Sequence, residues 1–182
     1  MASQPDNLSR IKSLGSMLKT VSIIGIFTLP WVKPLAWMFY NQLPIFLRAD
    51  FGKAAPVFLP MSSKILGMCV SLPSSAIVFL MIHNITKLFS LYAHGKVLER
   101  ENALFIRNIG MYLIMSTLYT IIIANPLTTV ALTLMKGPGH RSLSFGLGSS
   151  DCIALFVAGF LFITAFVTTE AHRVKKDAEL TI

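Results

Sequence analysis

The chain has 182 residues, 54% of them hydrophobic and only 13% charged, with a formal net charge of +8. Soluble domains carry about 25% charged residues, so a water-soluble globule of this length is excluded for want of polar surface. The positive charge forms no basic run interleaved with aromatics, which argues against nucleic acid as a partner, and the two cysteines, Cys69 and Cys152, make neither a disulfide framework nor a CxxC metal pair.

Four apolar runs are each long enough to cross a bilayer, which takes roughly 20 helical residues. They are Val21–Tyr40, interrupted by Lys33, then Ile65–Thr86, Ile109–Met135 and Cys152–Thr169. A membrane β-barrel would instead alternate polar and apolar residues in segments of about 10. The expected fold is therefore all-α, an integral membrane bundle of four transmembrane helices. Its parts are an N-tail over residues 1–20, a transmembrane domain over 21–169 and a C-tail over 170–182.

The segment Met1–Lys19 is polar and basic. The apolar run after it is too long for a signal-peptide core and ends in no clean cleavage site. It reads as a short cytoplasmic tail with an interfacial helix over Leu8–Leu18. In span one, a lysine at mid-bilayer costs about 2.5–3.5 kcal/mol, and each Leu, Ile, Phe or Val returns roughly 0.3–0.6. The span inserts only if Lys33 is off centre. Trp31, Trp37 and Tyr40 read as an interfacial aromatic belt, which puts Lys33 in the outer half with its ammonium snorkelling outward. Pro30 and Pro34 remove two amide donors and predict a kink.

Residues 41–64 are too apolar to float in water and read as a short helix lying in the interface. Span two carries Pro73 among Ser71, Ser74 and Ser75, whose hydroxyls are expected to satisfy the carbonyl the proline frees. Its helix is expected to run through Leu91–Tyr92 and stop at Gly95, a residue suited to the left-handed cap. Glu99–Asn102 then open the next helix, with acidic groups at the positive end of its dipole. Span three is uncharged for longer than a crossing needs, and Asn125-Pro126 is expected to bend or end it. A Gly- and Ser-rich loop over Gly137–Ser150 leads to span four. With both termini inside, Lys and Arg number ten on the cytoplasmic side (the N-tail, Lys87, Lys96, Arg100, Arg107 and the C-tail). Outside they number five (Arg48, Lys53, Lys64, Lys136 and Arg141). This predicts both termini in the cytoplasm.

Three stretches carry a resemblance. One is Leu88-Phe89-Ser90-Leu91-Tyr92 with Gly95 and Val97-Leu98. Another is Glu101-Asn102 with Ile106-Arg107 and Ile109-Gly110. The last is Glu170 with the closing Asp177-Ala178-Glu179-Leu180-Thr181-Ile182. Together they resemble the bacterial domain-of-unknown-function 2975 family, covering the chain from span two onward and the first 60 residues by layout. Two positions depart from the family pattern. Glu99 stands where Ser or Thr is usual, and Asp177-Ala178 where Glu-Asn is usual. The resemblance implies a small four-span protein of the bacterial inner membrane, often encoded beside a helix-turn-helix regulator. It carries over no catalytic residue.

Motif content is concentrated around Gly95, Glu101, Asn102, Arg107 and Glu179, which are expected to form a cytoplasmic interaction surface. Glu101 and Asn102 suit capping of the amides at this helix start. Tail carboxylates are placed to fold back onto Arg100 and Arg107, against the alternative of separate solvated charges worth about 0–1 kcal/mol as pairs. Lys33 and Asp151, both toward the outer face, are a candidate intramembrane ion pair, with snorkelling as the plainer reading. Cys69 and Cys152 are expected as small buried thiols. The histidines are scattered: His83 reads as a packed residue, His94 and His172 share the cytoplasmic side, and His140 lies in the outer loop. No nucleotide, nucleophile or metal motif is present. The expectation is therefore a non-enzymatic protein without a cofactor. Its partners would be the bilayer, a cytoplasmic regulatory protein and further copies of itself. The alternative is a small transporter or channel subunit with proline-broken helices around a path.

Overall fold

The computed structural model describes residues 4–48, 58–97, 99–133, 143 and 145–180. Its helices are α1 (Gln4–Met38), the single-turn α2 (Ile45–Arg48), α3 (Met61–Ala93), α4 (Arg100–Tyr119), α5 (Asn125–Thr133) and α6 (Ser149–Leu180). A π-helical turn, Thr120–Ala124, joins α4 to α5. Among the described residues four stretches are long and apolar enough to cross a membrane: Leu8–Met38, Met61–Ala93, Arg100–Thr133 and Ser149–Val174. The chain is an all-α, multi-pass membrane protein. Large apolar side chains on α6, among them Ile153, Phe156, Phe160 and Ile163, lie on one exposed stripe. Such a face is stable against lipid and not against water.

The helices overrun the bilayer. α1 has 35 residues, about 52 Å at 1.5 Å per residue, against a hydrocarbon core of about 30 Å. The polar N-terminal segment is thus part of α1 from Gln4 and not a separate interfacial helix. The C-tail is likewise the end of α6, which continues to Leu180. No proline or glycine follows Gly159, so nothing in the chain stops it.

Extensive packing joins α1 to α3, α3 to α4 and α4 to α6, with α5 against α3. α3 is the most enclosed of the four. Both termini reach the same end of the molecule, since Gly15 of α1 lies against Tyr92 and Ala93, and Ala165 of α6 packs with Leu88 and Ile106. This is called the Gly95 end below, and the opposite one the Asn41 end.

Lipid tails give helices no hydrophobic reason to associate, so small residues and interhelical hydrogen bonds hold them. A Cβ at Gly15 would stand 2.7 Å from the Ala93 nitrogen, and one at Gly110 would stand 3.3 Å from the Ala158 carbonyl oxygen. α3 and α4 are also tied by polar contacts. The Tyr119 hydroxyl donates to the Val70 carbonyl at 2.6 Å, and the Asn108 amide to Asn84 Oδ1 at 3.4 Å. Around Pro73 the serines behave differently from expectation. Ser71 donates to Met68 and Ser75 to Ser71, while the buried Ser74 Oγ has no partner. The freed carbonyl, four residues before Pro73, is that of Cys69.

The Asn41 end has its own core of Trp37, Tyr40, Leu59, Ala131 and Leu132. Trp31 is exposed as an interfacial residue should be, but Trp37 and Tyr40 are buried and stacked with ring centroids 6.4 Å apart. Asn41 clamps the chain there. Its amide donates to the Leu59 carbonyl at 3.0 Å and its Oδ1 accepts the Leu59 N–H at 2.8 Å. Arg48 donates to the carbonyls of Leu43 and Asn41, both at 2.8 Å, and lies over the Tyr40 ring. The expected interfacial helix is thus a tethered turn, Tyr40–Gln42, followed by α2.

Gly67 makes room for the Trp37 indole: a Cβ there would collide with its ring carbons. Gly67→Val should expel the ring, lower stability in detergent by about 1–3 kcal/mol and shift Trp37 emission to the red. Unfolding followed by fluorescence in a Trp31→Phe background measures both. An unchanged midpoint would mean that the indole has another seat.

Candidate functional site

The Gly95 end is built from the α3 C-terminus upward. Gly95 has φ +77°, a conformation that costs other residues about 1–2 kcal/mol. Its N–H donates to the Tyr92 carbonyl at 2.9 Å, and the Lys96 N–H to that of Leu91 at 3.0 Å. These two bonds make a complete Schellman stop, at the residue where the sequence places it. Lys12 of α1 lies against Gly95.

Asn102 then fixes the turn. Its amide donates to the carbonyls of Lys96 at 2.8 Å and Val97 at 2.6 Å. Two acceptors on one nitrogen identify that atom as the NH₂. The residue is fully buried, and its Oδ1 has no partner. This corrects two expectations. Asn102 ties down loop carbonyls instead of capping helix amides, because its side chain points back along the connection. It also stands inside the corner and contributes nothing to an exposed surface. Glu101 sits in the first turn of α4 and is exposed.

Arg100 and Arg107 stand seven residues apart, about two turns on one face of α4. With Leu104 they line a cleft of about 410 Å³, whose opposite wall is Phe162, Phe166 and Thr169 of α6. Arg100, Leu104 and Arg107 are exposed. Ala103 and Ala165 form the buried floor. Phe105 turns inward and carries the Lys87 ammonium over its ring. As far as Leu180 the chain does not fold back over this cleft, because α6 carries it straight on as helix. Glu170, Arg173, Lys176 and Asp177 are exposed along it, and the side chain of Glu179 lies outside the described residues.

Lys33 and Asp151 are not brought together. They belong to α1 and α6, which are not among the packed pairs. The Asp151 carboxylate instead accepts the Gly148 N–H at 2.9 Å, the third helical residue reaching back to the N-cap. Lys33 is exposed and lines an open groove of about 610 Å³ toward the Asn41 end. The Asn125-Pro126 irregularity expected in span three is the π-helical turn beside it. Such turns recur at functional sites. Cys69 and Cys152 are free and exposed, not buried.

His83 stacks on Phe79, and His94 Nδ1 is 2.6 Å from the Ser90 carbonyl oxygen. His140 and most of the Gly137–Ser150 loop lie outside the described residues. Among the described residues no three His, Cys, Asp or Glu side chains gather as a metal-binding group.

Sequence reasoning missed Asn41, Arg48 and the groove. Asn41 acts on the main chain of Leu59, eighteen residues on, and Arg48 turns back onto the carbonyls of Leu43 and Asn41, and no periodic spacing announces either. The groove has a partial signal in Pro73 and Asn125-Pro126, two helix irregularities in spans that pack together.

The family described as protein of unknown function, DUF2975, matches residues 33–182. No curated protein and no solved structure matches the chain.

Replacing Asn102 removes the donor that ties the Lys96 and Val97 carbonyls, two hydrogen bonds worth about 0.5–1.5 kcal/mol each. Asn102→Ala should therefore speed tryptic cleavage at Lys96 and Arg100 in intact membranes. Asn102→Asp should do the same, since a carboxylate cannot donate. Cleavage as slow as in the parent would show that the turn holds without the amide.

Proposed function

Because the chain belongs to the DUF2975 family, whose activity the family description leaves open, we propose a role from the geometry. The protein is a non-enzymatic component of the bacterial inner membrane whose Gly95 end is a cytoplasmic docking surface for a soluble regulatory protein. The observation that carries this is the cleft between α4 and α6. Arg100, Leu104 and Arg107 are accessible there, on a helix start whose backbone is held by Asn102 and the Gly95 stop. Two guanidiniums flanking an apolar floor suit a partner that offers an apolar side chain between carboxylates. Arginines in a fixed frame bind carboxylates in paired hydrogen bonds. The excess of Lys and Arg at this end supports its cytoplasmic placement.

A second reading, a small transporter or channel subunit, has one observation in its favour. The π-helical turn Thr120–Ala124 interrupts a spanning helix beside a partly polar groove, as broken helices do in transporters. Measurable solute flux in liposomes would favour it.

Two measurements test the first reading. In a Cys69→Ser, Cys152→Ser background, His94→Cys should react with an impermeant maleimide only when the cytoplasmic face is exposed. Labelling from the outer face would reverse the orientation. A photo-reactive residue at the exposed Leu104 in native membranes should crosslink one soluble protein, and Arg107→Glu should abolish the adduct. Crosslinks confined to α6 or to other copies of the chain would overturn the docking role and leave a self-contained bundle.

A further inference from the structure

The groove at the Asn41 end contains chemistry that the docking role does not use. Its walls are α1, α3 and the strip running from the π-helical turn into α5. Most of the lining is apolar. The polar residues are Lys33, Ser71, Ser74, Thr120, Asn125 and Thr128. Among the described residues, Lys33 is the one charged member of this lining, and no acid accompanies it there. A lysine within a membrane span normally faces a partner or water, and Asp151, the partner expected from the sequence, is engaged at the start of α6.

Three further observations bear on what belongs there. Ser74 is 3% exposed and its Oγ has no hydrogen-bond partner. A buried hydroxyl left unpaired costs about 1–3 kcal/mol, and Ser74 lies on the groove wall. The π-helical turn sets Thr120, Ala124 and Thr128 four residues apart, with Asn125 beside them, as one strip facing α3 across the groove. The volume of about 610 Å³ falls in the range of ligand sites, roughly 300–1,000 Å³.

We propose that this groove is a binding site for one anionic phospholipid, with its phosphate at Lys33, its glycerol-ester oxygens toward Ser74 and Asn125, and an acyl chain along the apolar wall. The charge decides the class. A cation with no acid beside it among the described lining residues attracts an anion, and a zwitterionic headgroup brings a second cation that meets no acid among them. The medium decides the body. The groove is bordered by the exposed apolar side chains Val32, Leu35 and Phe39, so whatever enters passes through lipid. Lys33 is five residues before the end of α1 at Met38, about 7.5 Å of helix, within reach of the headgroup level by snorkelling.

The test is native mass spectrometry of the full chain purified in detergent and incubated with vesicles of phosphatidylglycerol or of phosphatidylcholine. The expected result is one retained phosphatidylglycerol per chain and at least about tenfold less phosphatidylcholine, the equivalent of ~1.4 kcal/mol. Lys33→Gln should reduce retention of the anionic lipid by about the same factor. Lys64→Gln, a lysine outside the groove lining, should leave it unchanged. Inorganic phosphate in excess should not displace the lipid, because the acyl chain holds it. Equal retention of both lipids, or full retention by Lys33→Gln, overturns the proposal. So does displacement by free phosphate, or a dimer mass in place of the lipid adduct. Since Lys33 is exposed, Lys33→Gln leaves packing intact. Ala124→Phe provides a second variant that fills the groove and should eject the lipid while leaving Lys33 in place.

Discussion

α1 and α3 lie against each other because each supplies a glycine where the other needs room. At one end Gly15 lets α1 approach the backbone of Ala93 and Tyr92, and at the other Gly67 lets α3 receive the Trp37 indole. Between these points the buried residues of α1 are Ser22, Pro30 and Pro34, all compact. In lipid, where apolar burial gives no net drive to helix association, such close approach is the main source of cohesion. The other contacts follow from it. α3 becomes the central helix, α4 is tied to it through Tyr119 and Asn108, and α6 attaches through α4.

The two ends are built by different means. The Gly95 end is closed by the main chain itself, a glycine stop followed by a buried amide that gathers two carbonyls. The Asn41 end is closed by side chains reaching across sequence, with Asn41 pairing Leu59 and Arg48 holding the turn below Tyr40. Exposed cations stand beside an accessible cleft or groove at each: Arg100 and Arg107 at one, Lys33 at the other. The central helices thus separate two candidate sites whose chemistry can be altered independently.

What the sequence revealed and what it concealed have physical reasons. Spans are legible because a charge inside a bilayer is costly, so uncharged runs mark them directly. Gly95 was legible because one residue type suits its backbone, and Asn125-Pro126 because proline cannot donate. Trp37 and Tyr40 were misread because buried and interfacial aromatics look alike in sequence. Gly67, thirty residues from Trp37, decides between the two. Asn102 was misread because an asparagine near a helix start can cap forward or clamp backward, and the path of the preceding loop selects the second. The helical C-tail was readable in principle, since no breaker follows Gly159. The apparent change from apolar to charged composition suggested a boundary that the backbone ignores.

That unbroken α6 has a mechanical consequence. It is held chiefly along α4, from Ala158 beside Gly110 to Ala165 in the cluster with Ile106 and Ile109. From Ala165 to Leu180 is about 22 Å of uninterrupted helix. A rod gripped near its middle acts as a lever. A tilt of about 10° at that fulcrum carries its tip through about 4 Å, on the geometry of the same rise. Where a change in bilayer thickness is absorbed by helix tilt, the same geometry would displace the charged end of α6.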